Sequence, residues 1–278
     1  MLGLGSSLLR STLKDNTPIA YAETYSVSCD GTDDIITVAN SKALTSPFKP
    51  TAAITISCWV LPSAWDTNTI NQTFSLVSNK YTGGYEVVLL SDGTAGNNTR
   101  IDFKIGVTDD GGGGGDPRGY ITATVAKTTV DDFTGWKNIV ATYDGTTAKL
   151  YVNGDNSTGV TNATSASNTT IEYVTSGPLY QIKSLSFGGN IAHGNNYNGL
   201  IDNVAIWDVA LDAANVTKVY NSGDPFDLRS DSGDYNQSAN LIGYWQFEEN
   251  LGTATADLAG NAGLATFWNG ATWSTTVI

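Results

Sequence analysis

The segment Trp136–Gly154, WKNIVATYDGTTAKLYVNG, constrains the fold more than any other stretch of the chain. It reads as two strands, Trp136–Tyr143 and Ala148–Val152, separated by Asp144-Gly145. Asp-Gly supplies residues that tolerate positive φ, which a tight hairpin turn requires. Asn153-Gly154 repeats the device where the second strand ends. A chain containing such a hairpin has to build an antiparallel sheet around it.

Strand patterns recur on both sides of this hairpin. Tyr25–Cys29, Ile35–Val38 and Ile54–Val60 alternate apolar and polar residues. Further strands are expected at Phe74–Ser78, Tyr85–Leu90, Arg100–Val107, Tyr120–Val125, Ile182–Phe187 and Gly199–Trp207. Many short strands set apart by Gly, Asn, Asp and Pro predict an all-β sandwich or barrel. The run Asp109–Pro117, with its consecutive glycines, reads as a loop, because ordering so many glycines is entropically costly. It lacks the Gly-Lys-Ser/Thr ending of a phosphate loop.

One short helix is expected near 212–221. Asp212 can cap Ala213–Tyr220, Gly223 follows its end, and Val216, Val219 and Tyr220 share a face that plugs one edge of the core. Residues 221–239 read as an irregular linker, and Leu241–Phe247 as another alternating strand. No second core-sized apolar region follows. Residues 25–278 are therefore expected to form a single sandwich that 240–278 completes. Residues 1–24 read as a retained arm, since MLGLGSSLLRSTLKD lacks the uninterrupted apolar core and small-residue cleavage site of a signal peptide.

Bulk composition narrows the partners. Charged residues are only 15% of the chain, under the usual quarter, so Asn, Thr, Ser and Gly have to supply the polar surface. The net charge of -13 repels phosphate backbones and anionic bilayers, which argues against nucleic acid and membrane as partners. No run reaches the roughly 18 apolar residues of a membrane span. The two cysteines, Cys29 and Cys58, sit in apolar strand patterns and read as buried free thiols, with a single bridge as the alternative.

Five segments together resemble the laminin-G-like, concanavalin A-like lectin/glucanase superfamily. They are YSVSCDGTDDIITV (Tyr25–Val38), ITISCWVLP (Ile54–Pro62), WKNIVATYDGTTAKLYVNG (Trp136–Gly154), YNGLIDNVAIWDVALDAANVTKVYN (Tyr197–Asn221) and LIGYWQFEENLGTATADLAGNAGLATFWNGATW (Leu241–Trp273). The resemblance implies an antiparallel β-sandwich of the jelly-roll kind, with Trp59, Trp136, Trp207 and Trp245 in its core. In the common secreted form of this family the GYWxFxE segment precedes the SFDGxDDY segment, whereas here it comes last, as in a circular rearrangement. That order, the preceding YNSGxPxDL-like linker and the MLGLGSSLL arm resemble virion surface proteins of tailed bacteriophages. The resemblance implies a capsid decoration, head fibre or tail-associated module, multicopy or homo-oligomeric, docked to other virion proteins through residues 1–24. A secreted carbohydrate-binding or adhesion module is the alternative, and a diverged glycan-active hydrolase a more remote one.

Catalytic chemistry finds little support. Retaining glucanases of this fold need two Glu flanking the scissile bond at about 5 Å. Glu occurs only at 23, 86, 172, 248 and 249, and no Glu-x-Asp-x-Glu arises. A Gly-x-Ser-x-Gly elbow is absent, and the sole histidine, His193, has no recognisable partners. The chain is accordingly expected not to be an enzyme. Two ligand sites are expected instead. Asp30-Gly-Thr-Asp-Asp packs three carboxylates into five residues, which suits either Ca²⁺ or a plain Asx-type turn. The resemblance implies that Asp30, Asp33, Asp34 and Asp202 meet at one edge to hold a structural calcium. Trp65, Tyr81, Asn195, Asn196 and Tyr197 are nearer loops and are the candidates for stacking on and hydrogen-bonding cell-surface glycans.

Overall fold

The computed structural model describes residues 21, 23–41, 43, 45–63, 72–80, 83–91, 99–108, 118–126, 134–155, 160–161, 163–164, 170–173, 184–191 and 194–278. The glycine-rich run 109–117, the arm through residue 20, His193, Trp65 and Tyr81 lie outside them.

The chain forms β1 (Ser26–Asp30), β2 (Ile35–Val38), β3 (Ile54–Pro62), β4 (Gln72–Lys80), β5 (Gly84–Ser91), β6 (Arg100–Thr108), β7 (Arg118–Ala126), β8 (Lys137–Tyr143), β9 (Thr147–Val152), β10 (Val160–Thr161), β11 (Ala163–Thr164), β12 (Ser186–Phe187) and β13 (Asn198–Trp207). Helix α1 (Ala213–Tyr220) follows, then β14 (Leu241–Trp245), β15 (Ala254–Thr255), β16 (Ala265–Trp268) and β17 (Thr272–Ser274). These strands make two antiparallel sheets. One has the order β11-β9-β8-β3-β13-β1-β17, with β14 also paired to β13. The other runs β10-β7-β6-β5-β4-β12-β2-β16-β15. The fold is the all-β sandwich that the alternation predicts. The last strands belong to both sheets: β14 and β17 to the first, β15 and β16 to the second.

Between the sheets lies one core, to which strands contribute alternate residues, among them Ile36 and Val38 from β2, Ile56, Cys58 and Val60 from β3, and Ala265 and Phe267 from β16. Trp245 anchors one end of it, with Phe187 at 4.9 Å and Phe48 at 5.7 Å between ring centroids. Cys29 and Cys58 are free and buried, and burial pushes each thiol up to about 12. The β8–β9 turn forms as its residues demand. Asp144 Oδ1 accepts from Thr146 N (2.8 Å) and Thr147 N (2.7 Å), and Gly145 sits at φ 90°.

Helix α1 has its expected span but covers another face. Asp212 caps it, accepting from Asn215 N, and Asn221, in the left-handed region, closes it. It does not plug an edge of the core. It lies on the outer face of the first sheet, where Val216 and Val219 bury against Tyr151, Ala205, Trp207 and Tyr244 in a second cluster. Trp59 also points to this outer side, stacked against Tyr220 at 5.8 Å. Residues 221–239 complete the cover: Leu228 and Tyr235 are buried, and the Tyr235 hydroxyl accepts from Trp207 Nε1 (3.0 Å) and donates to Leu228 O (2.8 Å). The stretch that reads as linker is thus packed structure. Trp207 is buried in this outer cluster and Trp136 is half-buried, so of the four motif tryptophans only Trp245 lies between the sheets.

Strand β13 carries a bulge. It is in register with β3 from Gly199–Pro62 to Asp202–Trp59, then shifts by one residue before Ala205–Ser57. Asn203 is the extra residue, at φ 46°. A bulge of this kind resets the alternation. Ile201 and Val204 therefore both face the core, while Asp202 and Ala205 do not.

Candidate functional site

Three connections meet at one end of the second sheet: residues 31–34 between β1 and β2, residues 188–197 before β13, and residues 269–271 between β16 and β17. The first is drawn into a tight turn. Thr32 N donates to Asp30 Oδ1 (2.7 Å), Asp30 N donates to Asp34 Oδ2 (2.8 Å), and Gly31 takes φ 80°. Its backbone is gripped from both sides, because Asn196 Nδ2 donates to Thr32 O and Asn269 Nδ2 to Asp33 O (3.0 Å). Carboxylate oxygens of Asp30, Asp33 and Asp34 lie within 4.8 Å of one another. Asp34 Oδ1 is buried against Gly270 with no hydrogen-bond partner among the described residues. Burial, then the charges of Asp30 and Asp33, hold the Asp34 carboxyl above its ordinary value.

Beside this turn runs a groove of about 1030 Å³ on the outer face of β2 and β16. Strand parity builds it. Ile36 and Phe267 face the core, so their neighbours Ile35, Thr37 and Trp268 face out. Trp268 is 52% exposed, and its Nε1 donates to Thr37 Oγ1 (2.9 Å), which fixes the ring over the groove. Asn196, Asn269 and Asn40 supply amides around it, buried Asn190 forms part of its wall, and Asp33 joins the groove to the acidic turn. The Asn190 wall is anchored from beneath: Asn190 Nδ2 donates to Glu86 Oε1 (2.9 Å) and Ser78 Oγ (3.0 Å). Its backbone exchanges bonds with Gly194 in both directions, at 2.7 and 2.8 Å. An exposed indole ringed by amides offers an apolar face for a ring and donor–acceptor groups for hydroxyls.

The expected site residues fall in different places. Asn196 lines the groove and grips the turn. Asn195 lies next to it, accepting at its backbone carbonyl from Ser75 N (2.8 Å), but does not line the groove. Tyr197 is 1% exposed: its ring is part of the core and its hydroxyl donates to Leu200 O (3.3 Å), so it offers no face to a sugar. Trp65 and Tyr81 lie outside the described residues.

Asp202 stands apart from the other three aspartates. Asp30 pairs with Asn198, and Asp202 is four residues further along β13, at the bulge. There it faces Glu23 instead. This is a seam in the first sheet, because β1 and β14 pair end to end along one edge of β13 and leave residues 202–203 between them. The chain at 21–25 and at 248 closes the gap. Glu248 accepts from Thr24 N (3.0 Å to Oε1) and Tyr25 N (3.2 Å), and Asn203 Nδ2 donates to Glu23 Oε1 (2.6 Å). The Tyr21 hydroxyl meets Glu23 and Asn203. Asp202 Oδ2 and Glu23 Oε2 are both buried without another donor. Burial, then the Glu23 charge, holds the Asp202 carboxyl well above its ordinary value, and burial, then Glu248, raises Glu23.

Trp268 is the site residue that motif reading passes over. Its signal is parity: in Ala265-Thr-Phe-Trp two neighbouring aromatics cannot both face the core of a strand.

The comparisons agree with this architecture. A family profile of laminin G type, described as the concanavalin A-like lectin/glucanases superfamily, matches residues 30–217. No curated protein sequence matches the chain. Among solved structures, a Bacteroides ovatus protein described as a candidate carbohydrate binding protein is similar at a TM-score of 0.55 and 15% identity. The match covers 92% of this chain and 60% of that one. The receptor binding domain of a botulinum neurotoxin C/D mosaic serotype has a TM-score of 0.47 and 16% identity over 71% of this chain and 42% of its own. Domains LG4-5 of the mouse laminin alpha1 chain have a TM-score of 0.42 and 13% identity over 69% and 44%. With two antiparallel sheets, one short helix and a profile match over most of its length, this chain belongs to the concanavalin A-like lectin/glucanase superfamily.

Proposed function

We propose that this chain is a non-catalytic glycan-binding module whose site is the groove under Trp268. The observation that carries the reading is the exposed, oriented indole of Trp268 above a groove edged by the side chains of Asn40, Asn196 and Asn269. The description of the Bacteroides protein of similar fold points the same way. Three of the glutamates are held by other protein groups. Glu86 is held by Ser75, Asn190 and Lys80, and Glu248 and Glu249 accept backbone N–H groups.

A glycan array followed by titration calorimetry tests the groove. Covering about 60 Å² of the indole at ~25 cal/mol/Å² contributes about 1.5 kcal/mol, so Trp268→Ala is expected to weaken binding about tenfold. Uniformly negative arrays, or a Trp268→Ala protein that binds as well as the parent, overturn the reading.

Calcium at Asp30, Asp33 and Asp34 is part of the proposal. The carboxylates supply three donors of the six to eight that Ca²⁺ takes. Asp202 is too far along β13 to join them. A melting temperature that does not rise with CaCl₂ over EDTA removes the metal.

We place the module on a virion surface, with cell-surface glycans outside and other virion proteins contacting residues 1–24. The late position of the GYW segment and its phage-like resemblance support this assignment. Deleting residues 1–20 is expected to abolish assembly onto particles, and normal assembly refutes the docking role. No helix among the described residues is long and apolar enough to cross a membrane.

A further inference from the structure

We infer that Glu23 and Asp202 form a proton-operated latch: one proton shared between their carboxyl groups fastens the chain at 21–25 across the seam of the first sheet, and its loss releases that chain while β1 stays in place. The latch is independent of the groove and of what binds there. Two buried oxygens carry it. Asp202 is fully buried at the β13 bulge; its Oδ1 accepts from Asn203 N (2.8 Å), and its Oδ2 has no donor of its own. Glu23 Oε1 accepts from the Tyr21 hydroxyl and from Asn203 Nδ2 (2.6 Å), and its Oε2 is likewise buried without a donor. The two carboxyl groups lie within hydrogen-bonding reach of each other. A single proton between Oδ2 and Oε2 satisfies both oxygens through a charge-assisted O–H···O bond. Asp202 carries it, because Glu23 already has two donors to stabilise its charge and Asp202 has one.

Without the proton two carboxylates face each other out of water, where their repulsion is poorly screened. Glu248 adds a third negative charge from the chain after β14. The other described groups around the pair are uncharged: Tyr21 on the same segment, Asn203, Tyr244 of β14, whose hydroxyl is 3.2 Å from Asn203 Oδ1, and Trp59, which β3 sets opposite Asp202. Asp227 and Arg229 lie beyond Tyr244, bonded to one another at 2.7 Å. Asp202 cannot retreat, because β13 is paired along both edges. Glu23 can. Residues 21–25 belong to no strand, and the bonds that hold them run to the side chains of Asn203 and Glu248. Burial, ahead of the Glu23 charge, holds the Asp202 carboxyl well above its ordinary value. With the folded value raised, the latch is complete below the ordinary carboxylate range and is lost as pH rises through the raised value. Releasing residues 21–24 adds at most about 14 Å to the reach of the chain ahead of β1.

The test is amide hydrogen exchange on the full chain at pH 5 and pH 8, each rate divided by its intrinsic value at that pH, in EDTA so that no divalent cation bridges the carboxylates. The Thr24 and Tyr25 amides, which donate to Glu248, are expected to be at least tenfold less protected at pH 8, the equivalent of one pKa unit between latched and released chain. The amides of Val27 and Cys29 in β1 should not change. Asp202→Asn supplies a permanent amide donor to Glu23 and is expected to keep Thr24 and Tyr25 at the acid level of protection at both pH values, whereas a mere packing role for Asp202 would lower it at both. Glu23→Gln removes the other charge and is expected to give the same flat profile, which keeps the test standing should Asp202→Asn fail to fold. Equal protection of the parent at the two pH values overturns the latch. So does a pH response that survives these substitutions, or one that disappears when residues 1–20 are deleted, which would give the carboxylates a partner in Arg10 or Lys14.

Discussion

Gly243, in the middle of β14, is the position where one added methyl should do the most harm. A Cβ there would lie 2.6 Å from Phe48 Cε1, 2.6 Å from Trp245 Cη2 and 2.8 Å from Trp245 Cζ3. Its backbone is not in the left-handed region, so the effect of Gly243→Ala is purely steric. Neither ring can retreat: Phe48 and Trp245 are both buried, and Phe187 closes on Trp245 from the other side at 4.9 Å. Overpacking a filled core costs about 1–3 kcal/mol. At about 2–4 °C per kcal/mol for a chain of this size, the melting temperature should fall by roughly 2–12 °C. Differential scanning calorimetry measures this, with Gly135→Ala as control, since a Cβ at Gly135 meets nothing within 4 Å. Trp245→Phe in the Gly243→Ala background should recover part of the loss, a coupling visible in a double-mutant cycle. A Gly243→Ala protein that melts within a degree of the parent refutes the packing argument.

Two further outcomes are expected. Glu23 and Asp202 have folded-state values raised above their ordinary 4.5 and 3.8, so the stability they contribute is complete below about pH 4 and is lost as pH rises through the raised values. The parent should therefore lose stability against a Glu23→Gln/Asp202→Asn variant between acid and neutral pH in urea titrations, and parallel pH profiles would refute the shared burial of the pair. Cys29 and Cys58, buried with thiols near 12, should ignore a disulfide reagent at pH 8 until the protein is unfolded, when both react; rapid reaction of the native protein would show that one is open to solvent.

Much of the sandwich is legible because alternation and turn chemistry act locally. The strands from Tyr25 to Val38 and the Asp144-Gly145 hairpin fall within a residue or two of their expected limits. What escaped depends on register or on contacts between distant segments. The Asn203 bulge breaks the alternation that strand reading assumes, and it moves Asp202 to a seam with Glu23 instead of to the Asp30 turn. The side of the sheet that α1 covers is settled by Trp207 and Tyr244, whose partners are remote in sequence. Tyr197 and Trp268 both stand beside Asn and Gly; only strand pairing reveals that the first points into the core and the second out of it.

The seam also sets how the module would respond to a pull. β1 has no free edge, being paired to β13 on one side and β17 on the other. A load applied through the chain before Tyr21 first meets the side-chain clasp of Glu23, Asn203 and Glu248, and then a strand flanked on both sides. Detaching β1 requires breaking two ladders together instead of unzipping one from its end. A module held by that end would resist tension in its sandwich.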